Sequence, residues 1–170
     1  MESFDFSMPR FKELPKVPLY KEQVITYLEE LAKTLNIESD EKVLTPTMLN
    51  SYVKQKVILP PKDKKYNQEH LAYLIVVCIL KQVFSLHDIC NLINIQIESY
   101  PVEVAYDYFC DETEEAIKSV FFTRDFSKTS IPSNYTKESE ILKSAIRAFA
   151  HKLYIKQQLI DANKLHSNLG

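Results

Sequence analysis

The chain has 170 residues, of which 45% are hydrophobic and 26% are charged, and its net charge is -2. This balance is typical of a globular protein and excludes both a disordered chain and a uniformly basic nucleic-acid coat. The single glycine is Gly170, the last residue. Glycine-rich phosphate loops and the serine-nucleophile turn are therefore excluded. A sheet-rich fold would also need more turn glycines, so the composition predicts an all-α fold.

The composition also bears on cell location and cofactors. The longest apolar run, 71–80, has about half the length that a membrane span needs, and no basic start with an apolar core stands at the N-terminus. We therefore expect a cytoplasmic protein with no membrane partner. Cys78, Cys90 and Cys110 include no C-x-x-C pair, which predicts reduced thiols. His87 and Cys90 lack a third ligand at a suitable spacing, so we expect no metal and no cofactor.

Residues 1–19 are predicted to form an extended, proline-rich arm. Pro9, Pro15 and Pro18 stand among aromatic and aliphatic residues. Prolines this close together prevent a helix, whereas the apolar side chains between them favour burial. The arm is therefore expected to lie on the surface of the folded domain.

Two helices are predicted after the arm. Apolar residues at intervals of three and four predict the first helix from about Tyr20 to Leu35. Thr45 and Pro46 are typical of a helix N-terminus, and the second helix is predicted to end near Gln55. The outward face of this second helix carries small polar side chains and one cation: Thr47, Asn50, Ser51 and Lys54.

The rest of the chain is predicted to be mostly helical. Pro60 and Pro61 predict a short extended loop that carries several lysines. Asn67 is expected to cap a central third helix, because the following residues are apolar on nearly every face. The remaining predicted elements are helices from Ser85 to about Ile93, Pro101 to about Phe122 and Thr136 to about Leu165, with a polar loop from Thr123 to Asn134. The helix from Pro101 is expected to run either without a break or in two parts that meet near Asp111. The acidic residues of 111–115 are interpreted as the first turn of a helix, where carboxylates complement the helix dipole.

The order of elements is typical of a helix-turn-helix. Two helices joined by a short turn, the second with a hydroxyl cap and a polar face, are followed by a lysine-bearing loop. Residues 41–82 carry a net charge of +4, whereas the rest of the chain carries -6. A basic segment in an acidic chain is expected where one face meets phosphate. Lysines also crowd ordinary surface loops, so the charge alone leaves both interpretations open.

Three segments resemble a known family. They are 47–60 (TMLNSYVKQKVILP), 65–71 (KYNQEHL) and 80–89 (LKQVFSLHDI). They resemble the DNA-binding domain of MerR-type transcriptional regulators, in which a recognition helix ends in two apolar residues and a proline and a wing ends in a basic-x-aromatic step. From about residue 14 to 93 the chain also resembles a bacterial family defined as a domain of unknown function, with a Leu-Tyr-x-x-Gln-Val helix at 19–24.

The resemblance implies a winged helix-turn-helix with a shortened wing over 20–93, followed by a helical region, 94–170, for dimerisation or effector binding. It implies base or flanking phosphate contacts by Thr47, Asn50, Ser51 and Lys54, and backbone contacts by Lys62, Lys64, Lys65 and Tyr66. His70 is expected at the surface, where it would either reach a phosphate or, as the favoured alternative, only cap exposed surface. The chain has Asn50 where the family has an arginine and Lys56 where it has a turn glycine, so we expect the helix to be capped in another way.

The last third of the chain leaves two alternatives open. A partial heptad stripe runs through Leu142, Ile146, Phe149, Leu153 and Ile160. MerR-type proteins dimerise through a C-terminal helix, so the resemblance implies a homodimer, but the stripe would equally pack on the chain's own helix 101–122. An effector pocket or an ordinary core is expected among the aromatic residues Tyr100, Tyr106, Tyr108, Phe109, Phe121 and Phe122.

The leading hypothesis is a cytoplasmic transcriptional regulator without catalytic activity, whose partners are double-stranded DNA and a second copy of the chain. The alternative is a non-enzymatic helical adaptor whose degenerate helix-turn-helix binds a protein. The short wing, the missing arginine and the net negative charge favour that alternative. An enzyme is the least favoured hypothesis, because no catalytic constellation stands out.

Overall fold

The computed structural model describes residues 6–37, 41–126 and 136–167, and within these ranges the fold is helical apart from one two-stranded ribbon. The helices are α1 (Lys21–Thr34), α2 (Pro46–Lys54), α3 (Gln68–Leu80), α4 (Leu86–Ser99), α5 (Val102–Lys118) and α6 (Lys137–Ser167). The ribbon pairs β1 (Leu19–Tyr20) with β2 (Lys65–Tyr66) in antiparallel fashion. The predicted all-α class is confirmed. None of the helices in these ranges combines the length and apolarity that a bilayer crossing requires.

Helix α3 forms the centre of the fold, as its uniform apolarity predicts. It contacts α4, α5, α6 and β2, and its aliphatic side chains are buried on nearly every face. The Asn67 side chain accepts a hydrogen bond from His70 N at 3.1 Å, which confirms the predicted cap. The sequence predicts that this helix runs to about Phe84, but it ends at Leu80, and the chain turns before Ser85 caps α4.

The helix ends are built without glycine. Asn36 and Lys56 follow α1 and α2 with φ of 53° and 59°. After Lys56, Val57 N donates to Tyr52 O at 2.9 Å, the long-range bond of a Schellman motif. The expectation that Lys56 requires another kind of cap is therefore wrong. A lysine adopts the left-handed conformation that glycine usually supplies, at a cost of about 1 kcal/mol.

The described part of the N-terminal arm lies on the domain, as predicted. It is extended except for one 3-10 turn at Phe11–Glu13, which the spacing of the prolines permits. Phe6, Met8 and Leu14 are buried. The arm therefore contributes to the hydrophobic core, whereas residues 1–5 of the predicted arm lie outside the described ranges.

An ionic cluster joins the arm to α5. The Arg10 guanidinium donates to both Glu114 carboxylate oxygens, at 2.9 and 2.8 Å, and to Asp111 at 2.8 Å. Met8 N donates to Glu114 Oε1 at 2.7 Å. We call Arg10, Asp111 and Glu114 the Arg10 clasp. It ties two segments together that are a hundred residues apart in the chain.

The acidic residues of 111–115 lie in the middle of a helix, not in its first turn. Helix α5 begins at Val102 and passes through them without a break, and a π-helical turn, Ser119–Thr123, follows it. The interpretation as a helix start was wrong, because α5 already begins at Val102. Cations from other elements pair with Asp111, Glu112 and Glu114 in the middle of the helix. Glu112, for example, lies 3.3 Å from Lys143 Nζ of α6.

Helix α6 has two different halves. Four residues of the predicted stripe in its first half are at most 6% exposed, and this half contacts α5: Leu142, Ile146, Phe149 and Leu153. Packing on the chain's own helix is thus confirmed for this half. In the second half every residue from 158 to 165 is exposed. Within the described chain the first half of α6 therefore packs against the protein, whereas residues 158–165 of its second half are exposed to solvent.

The predicted boundary between residues 93 and 94 falls inside α4, which runs without interruption from Leu86 to Ser99. Buried side chains from the arm, from the α1–α4 segment and from α5 and α6 form one hydrophobic cluster. The three predicted regions therefore share one core. Most of the predicted polar loop after Thr123 lies outside the described residues.

Candidate nucleic-acid interface

The N-terminal cap of α2 and the side that it buries are as the sequence predicts. Thr45 Oγ1 accepts a hydrogen bond from Met48 N at 3.2 Å, and Pro46 is the first helical residue. Leu49 and Tyr52 are buried on its inner side. The four predicted contact residues lie elsewhere on its surface, Thr47, Asn50 and Lys54 being exposed and Ser51 half-buried. The outer face of α2 is therefore a polar ridge that is accessible to a partner.

The connection between α1 and α2 is not the short turn that was predicted. A helix-turn-helix connection has three or four residues, whereas 35–45 separate α1 from α2. Ile37 and Leu44 are buried near the two ends of this connection, and 38–40 lie outside the described residues. Helices α1 and α2 still contact each other. The helix pair is thus present with a longer connection.

A tight hairpin turn replaces the predicted extended loop. Lys62 and Lys65 exchange two backbone hydrogen bonds, of 3.1 and 2.9 Å. Between them Asp63 and Lys64 have φ of 50° and 62°, and two successive positive values are typical of a type I′ turn. The prediction missed it because neither residue is the glycine or asparagine that signals such a turn. We call residues 62–65 the hairpin turn.

Helix α2 and the hairpin turn border one shallow groove. Asn50 and Val53 of α2 line it together with Pro61, Lys64 and, from α1, Lys21. Lys21 Nζ donates to Asn50 Oδ1 at 2.9 Å. The structure thus brings Asn50 of α2 and Lys64 of the hairpin turn to the same groove, whereas Thr47, Ser51, Lys54 and Lys62 are not among its lining residues. It also adds Lys21, which sequence reasoning missed because no local pattern connects it with α2.

The lysines at this surface differ in whether their ammonium groups already contact another side chain. Lys54, Lys62 and Lys64 are exposed, and no ion pair or side-chain hydrogen bond engages them within the part of the chain that the structure describes. Lys65 is half-buried, and its Nζ lies 5.0 Å from the centroid of the Tyr20 ring. That cation–π contact holds Lys65 against β1. Three cations therefore remain available beside the polar ridge of α2.

Two residues that were predicted at the surface are buried. Tyr66 is 2% exposed and packs edge-on against the His70 ring, with centroids 5.4 Å apart. It is therefore removed from the predicted phosphate contacts. His70 is 7% exposed, accepts from Asn67 N at Nδ1 and faces Leu59 O with Nε2, each at 3.1 Å. A carbonyl oxygen only accepts, so Nε2 carries the proton. His70 thus supports the hairpin from behind.

The cysteines hold protonated thiols at neutral pH. Burial raises the pKa of Cys78 to about 11 and that of Cys110 to about 12. Burial also raises the pKa of Cys90, which is half-buried. A protonated thiol is a poor nucleophile and a poor metal ligand. In the described ranges no group of three or more His, Cys, Asp or Glu side chains could hold a metal ion.

The part of the chain that contains this surface matches a known protein family. Residues 9–109 match the model of a domain of unknown function, DUF1836. The chain therefore belongs to this family. The match includes the ribbon, α1 to α4 and the residues that border the groove, whereas α6 lies beyond it. No curated protein and no solved structure matches the chain.

Proposed function

We propose that this protein is a DNA-binding transcriptional regulator with a MerR-like winged helix-turn-helix. In this proposal α2 enters the major groove, and the hairpin turn is a shortened wing that contacts phosphates. The observation that carries the proposal is that Asn50, on the polar face of α2, and the exposed Lys64 border one groove, with Lys62 in the same turn as Lys64. An α-helix fits the major groove, and lysines at its side suit the backbone.

Asn50 is the proposed base-contacting residue. An asparagine amide can pair bidentately with adenine in the major groove. In the free protein Lys21 binds the Asn50 carbonyl oxygen at 2.9 Å and so orients the side chain. Thr47 and Ser51, close to Asn50 on the same helix, are proposed to contact bases or flanking phosphates. Lys54, in the last turn, is proposed to contact the backbone.

The charge distribution supports a single phosphate-facing side. The basic segment 41–82 carries +4 in a chain whose remainder carries -6. Not all of its lysines are available, because Lys81 Nζ donates to Val43 O and burial lowers the pKa of Lys81. The proposed phosphate contacts therefore rest on the three unpaired lysines of α2 and the hairpin turn.

We also propose that the second half of α6 forms a homodimer. Ile155, Leu159 and Ala162 recur at intervals of four and three and are all exposed, so they form one apolar stripe. Ile155 and Leu159 are 57% and 60% exposed. A second copy of the chain would cover the stripe, and a two-fold dimer would match a palindromic DNA site.

Selection of bound fragments from random and genomic DNA tests the proposed function. The test variant combines Lys54→Glu, Lys62→Glu and Lys64→Glu. The matched control combines Lys12→Glu, Lys33→Glu and Lys118→Glu, which make the same charge change at exposed lysines elsewhere. We expect the native protein and the control to enrich one sequence. The test variant should bind it at least about 10³-fold more weakly at physiological salt, because phosphate contacts dominate affinity.

Two outcomes would contradict the proposed function. If the native protein retains no DNA even at low salt, the assignment of α2 to the major groove is wrong and the protein-binding alternative is favoured. If the test and control variants lose the same affinity, only the net charge matters and the assignment of α2 and the hairpin turn is wrong.

Light scattering during size-exclusion chromatography tests the dimer. The double variant Ile155→Lys and Leu159→Lys should have half the mass of the native particle, because charges on the stripe oppose its burial. Gln158→Lys, an exposed neighbour outside the stripe, should leave the mass unchanged. A native protein that is monomeric at tens of micromolar would contradict the proposed dimer.

A further inference from the structure

A groove runs between α4 and the first half of α6. It has a volume of about 740 Å³, within the range of roughly 300 to 1,000 Å³ that is usual for binding clefts. Leu92, Ile95 and Ile141 line it and are half-buried, whereas Asp88 and Glu140 line it and are exposed. The groove therefore has an apolar interior and a charged rim. We call it the α4–α6 groove, and its two helical walls suit a third helix as occupant.

The α6 wall of this groove lies on the same face of α6 as the exposed stripe of Ile155, Leu159 and Ala162. Ile141 and Ser144 line the groove, and Ala148 follows them before the stripe begins. Successive positions in this series are three, four or seven residues apart, and such intervals keep side chains on one face of an α-helix. One face of α6 therefore carries a groove wall in its first half and the stripe in its second half.

Helix α4 covers only the first half of α6. It runs antiparallel to α6, because at one end Gln96 Nε2 donates to Glu138 O at 2.9 Å and at the other end Lys152 Nζ donates to Gln82 O. The start of α4, at Leu86, follows Gln82 and is therefore no further along α6 than about Lys152. The exposed stripe at 155–162 extends beyond α4 within the described chain.

The exposed stripe and the α4–α6 groove match in length and in charge. The stripe covers 155–162 and the α6 wall of the groove covers 137–145, which correspond to about 11 and 12 Å of helix. Residues 152–165 carry three lysines and one aspartate. The groove is lined by Asp88 and Glu140 and by one cation, Lys137. The two surfaces therefore carry opposite net charges, which favours their association.

We propose that the exposed stripe of each copy of the chain docks in the α4–α6 groove of a second copy, so that the two α6 helices lie antiparallel. Groove and stripe share one face of α6, on opposite sides of Ala148 and Lys152. A two-fold axis that crosses α6 between these two residues brings each stripe to the partner's groove. The inference rests on the proposed homodimer, names the surface that receives the stripe, and does not depend on DNA binding.

Cross-linking with a short bis-maleimide tests the arrangement in the full chain. Gln158→Cys lies beside the stripe and Glu140→Cys at the groove rim, and both positions are exposed. Each is made with Cys90→Ser, because Cys78 and Cys110 are buried. We expect a mixture of the two variants to give cross-linked dimers. Neither variant alone should do so, because the antiparallel arrangement separates identical positions by more than about 20 Å along α6. Gln158→Cys mixed with Asn94→Cys, at an exposed position of α4 outside the groove, is the control.

A variant of the groove alone provides a second test, by light scattering at tens of micromolar. Ser144→Arg places a long charged side chain in the groove and leaves the stripe intact, so the particle should have half the native mass. Asn94→Arg makes the same charge change outside the groove and should keep the native mass.

The outcomes separate the groove from the dimer itself. A dimer in which Gln158→Cys cross-links to itself has parallel stripes, and this result would overturn the groove assignment while the homodimer stands. Native mass for Ser144→Arg would overturn it in the same way. A native protein that is monomeric at this concentration would contradict the homodimer and, with it, this inference.

Discussion

Two charged surfaces of this protein differ in what their charges do. In the Arg10 clasp the guanidinium binds Glu114 and Asp111 within the same molecule. At the groove of α2 and the hairpin turn, Lys62 and Lys64 are exposed and unpaired among the described residues. The charges of the first surface are paired within the chain and hold the fold together. The proposed function assigns the unpaired lysines of the second surface to phosphate binding.

The two surfaces differ in how far their charged groups are buried and in how many hydrogen bonds these groups make. Glu114 accepts three hydrogen bonds, two from Arg10 and one from Met8 N, and its side chain is 26% exposed. Charge-assisted bonds at a partly buried site stabilise a fold measurably. Exposed lysines without partners contribute little to folding. Removing a charge should therefore affect stability at the first surface and binding at the second.

The largest stability effect is expected at Glu114. Glu114→Gln weakens the bonds from Arg10 and Met8 N and should lower the free energy of unfolding by about 2 kcal/mol, while DNA affinity stays within about twofold. Urea unfolding and DNA titration measure the two quantities. Asp111→Asn is the matched control, because Asp111 is 67% exposed and makes one bond to Arg10, so it should cost less than about 0.5 kcal/mol. Equal losses in both variants would contradict the assignment of the clasp's stability to Glu114.

The clasp should also make stability depend on pH. Burial alone raises the pKa of Glu114, but the hydrogen bonds from Arg10 and Met8 N and the Arg10 charge outweigh it, so the pKa is lowered from 4.5. A depressed folded-state pKa means that this stability is present above about pH 4.5 and is lost as pH falls through the folded pKa. The stability difference between native protein and Glu114→Gln should be constant from about pH 7 to 5 and shrink below 4.5. A difference that persists unchanged to about pH 3 would contradict this.

The smallest effect is expected at the hairpin turn, where stability and binding should change in opposite directions. Lys64 has a φ of 62°, so Lys64→Gly should raise the free energy of unfolding by about 0.5 to 1 kcal/mol and weaken DNA binding several-fold. Lys62→Gly removes the same charge at a residue without a positive φ and should weaken binding without the gain in stability. If Lys64→Gly does not stabilise the protein, the turn is not strained there.

Helix starts could be predicted because their signals are local. Thr45, Asn67 and Ser85 each accept a hydrogen bond from an amide three residues ahead, as the sequence predicts. The turns could not be predicted, because a lysine at a positive φ has no sequence signature. Lys56 and Lys64 adopt this conformation only where the surrounding fold requires it.

The candidate site could be predicted in part. The periodicity of α2 separates its buried side from its exposed face, and Asn50 lies on that face as expected. The burial of Tyr66 could not be predicted, because it depends on pairing with Leu19 across the ribbon. The bond from Lys21 to Asn50 and the bonds from Arg10 to Glu114 likewise join distant segments. Single-sequence patterns carry information over one or two turns and not over such distances.

The salt dependence of DNA affinity tests the central claim most directly. It is measured on the selected DNA sequence for the native protein and for a variant with Lys54→Gln, Lys62→Gln and Lys64→Gln. Each phosphate contact contributes roughly 0.9 to the slope of log affinity against log salt. The variant's slope should therefore be shallower by about 2.7, with the free energy of unfolding unchanged within about 0.5 kcal/mol. An unchanged slope would contradict the claim that these lysines are left unpaired in order to bind phosphate.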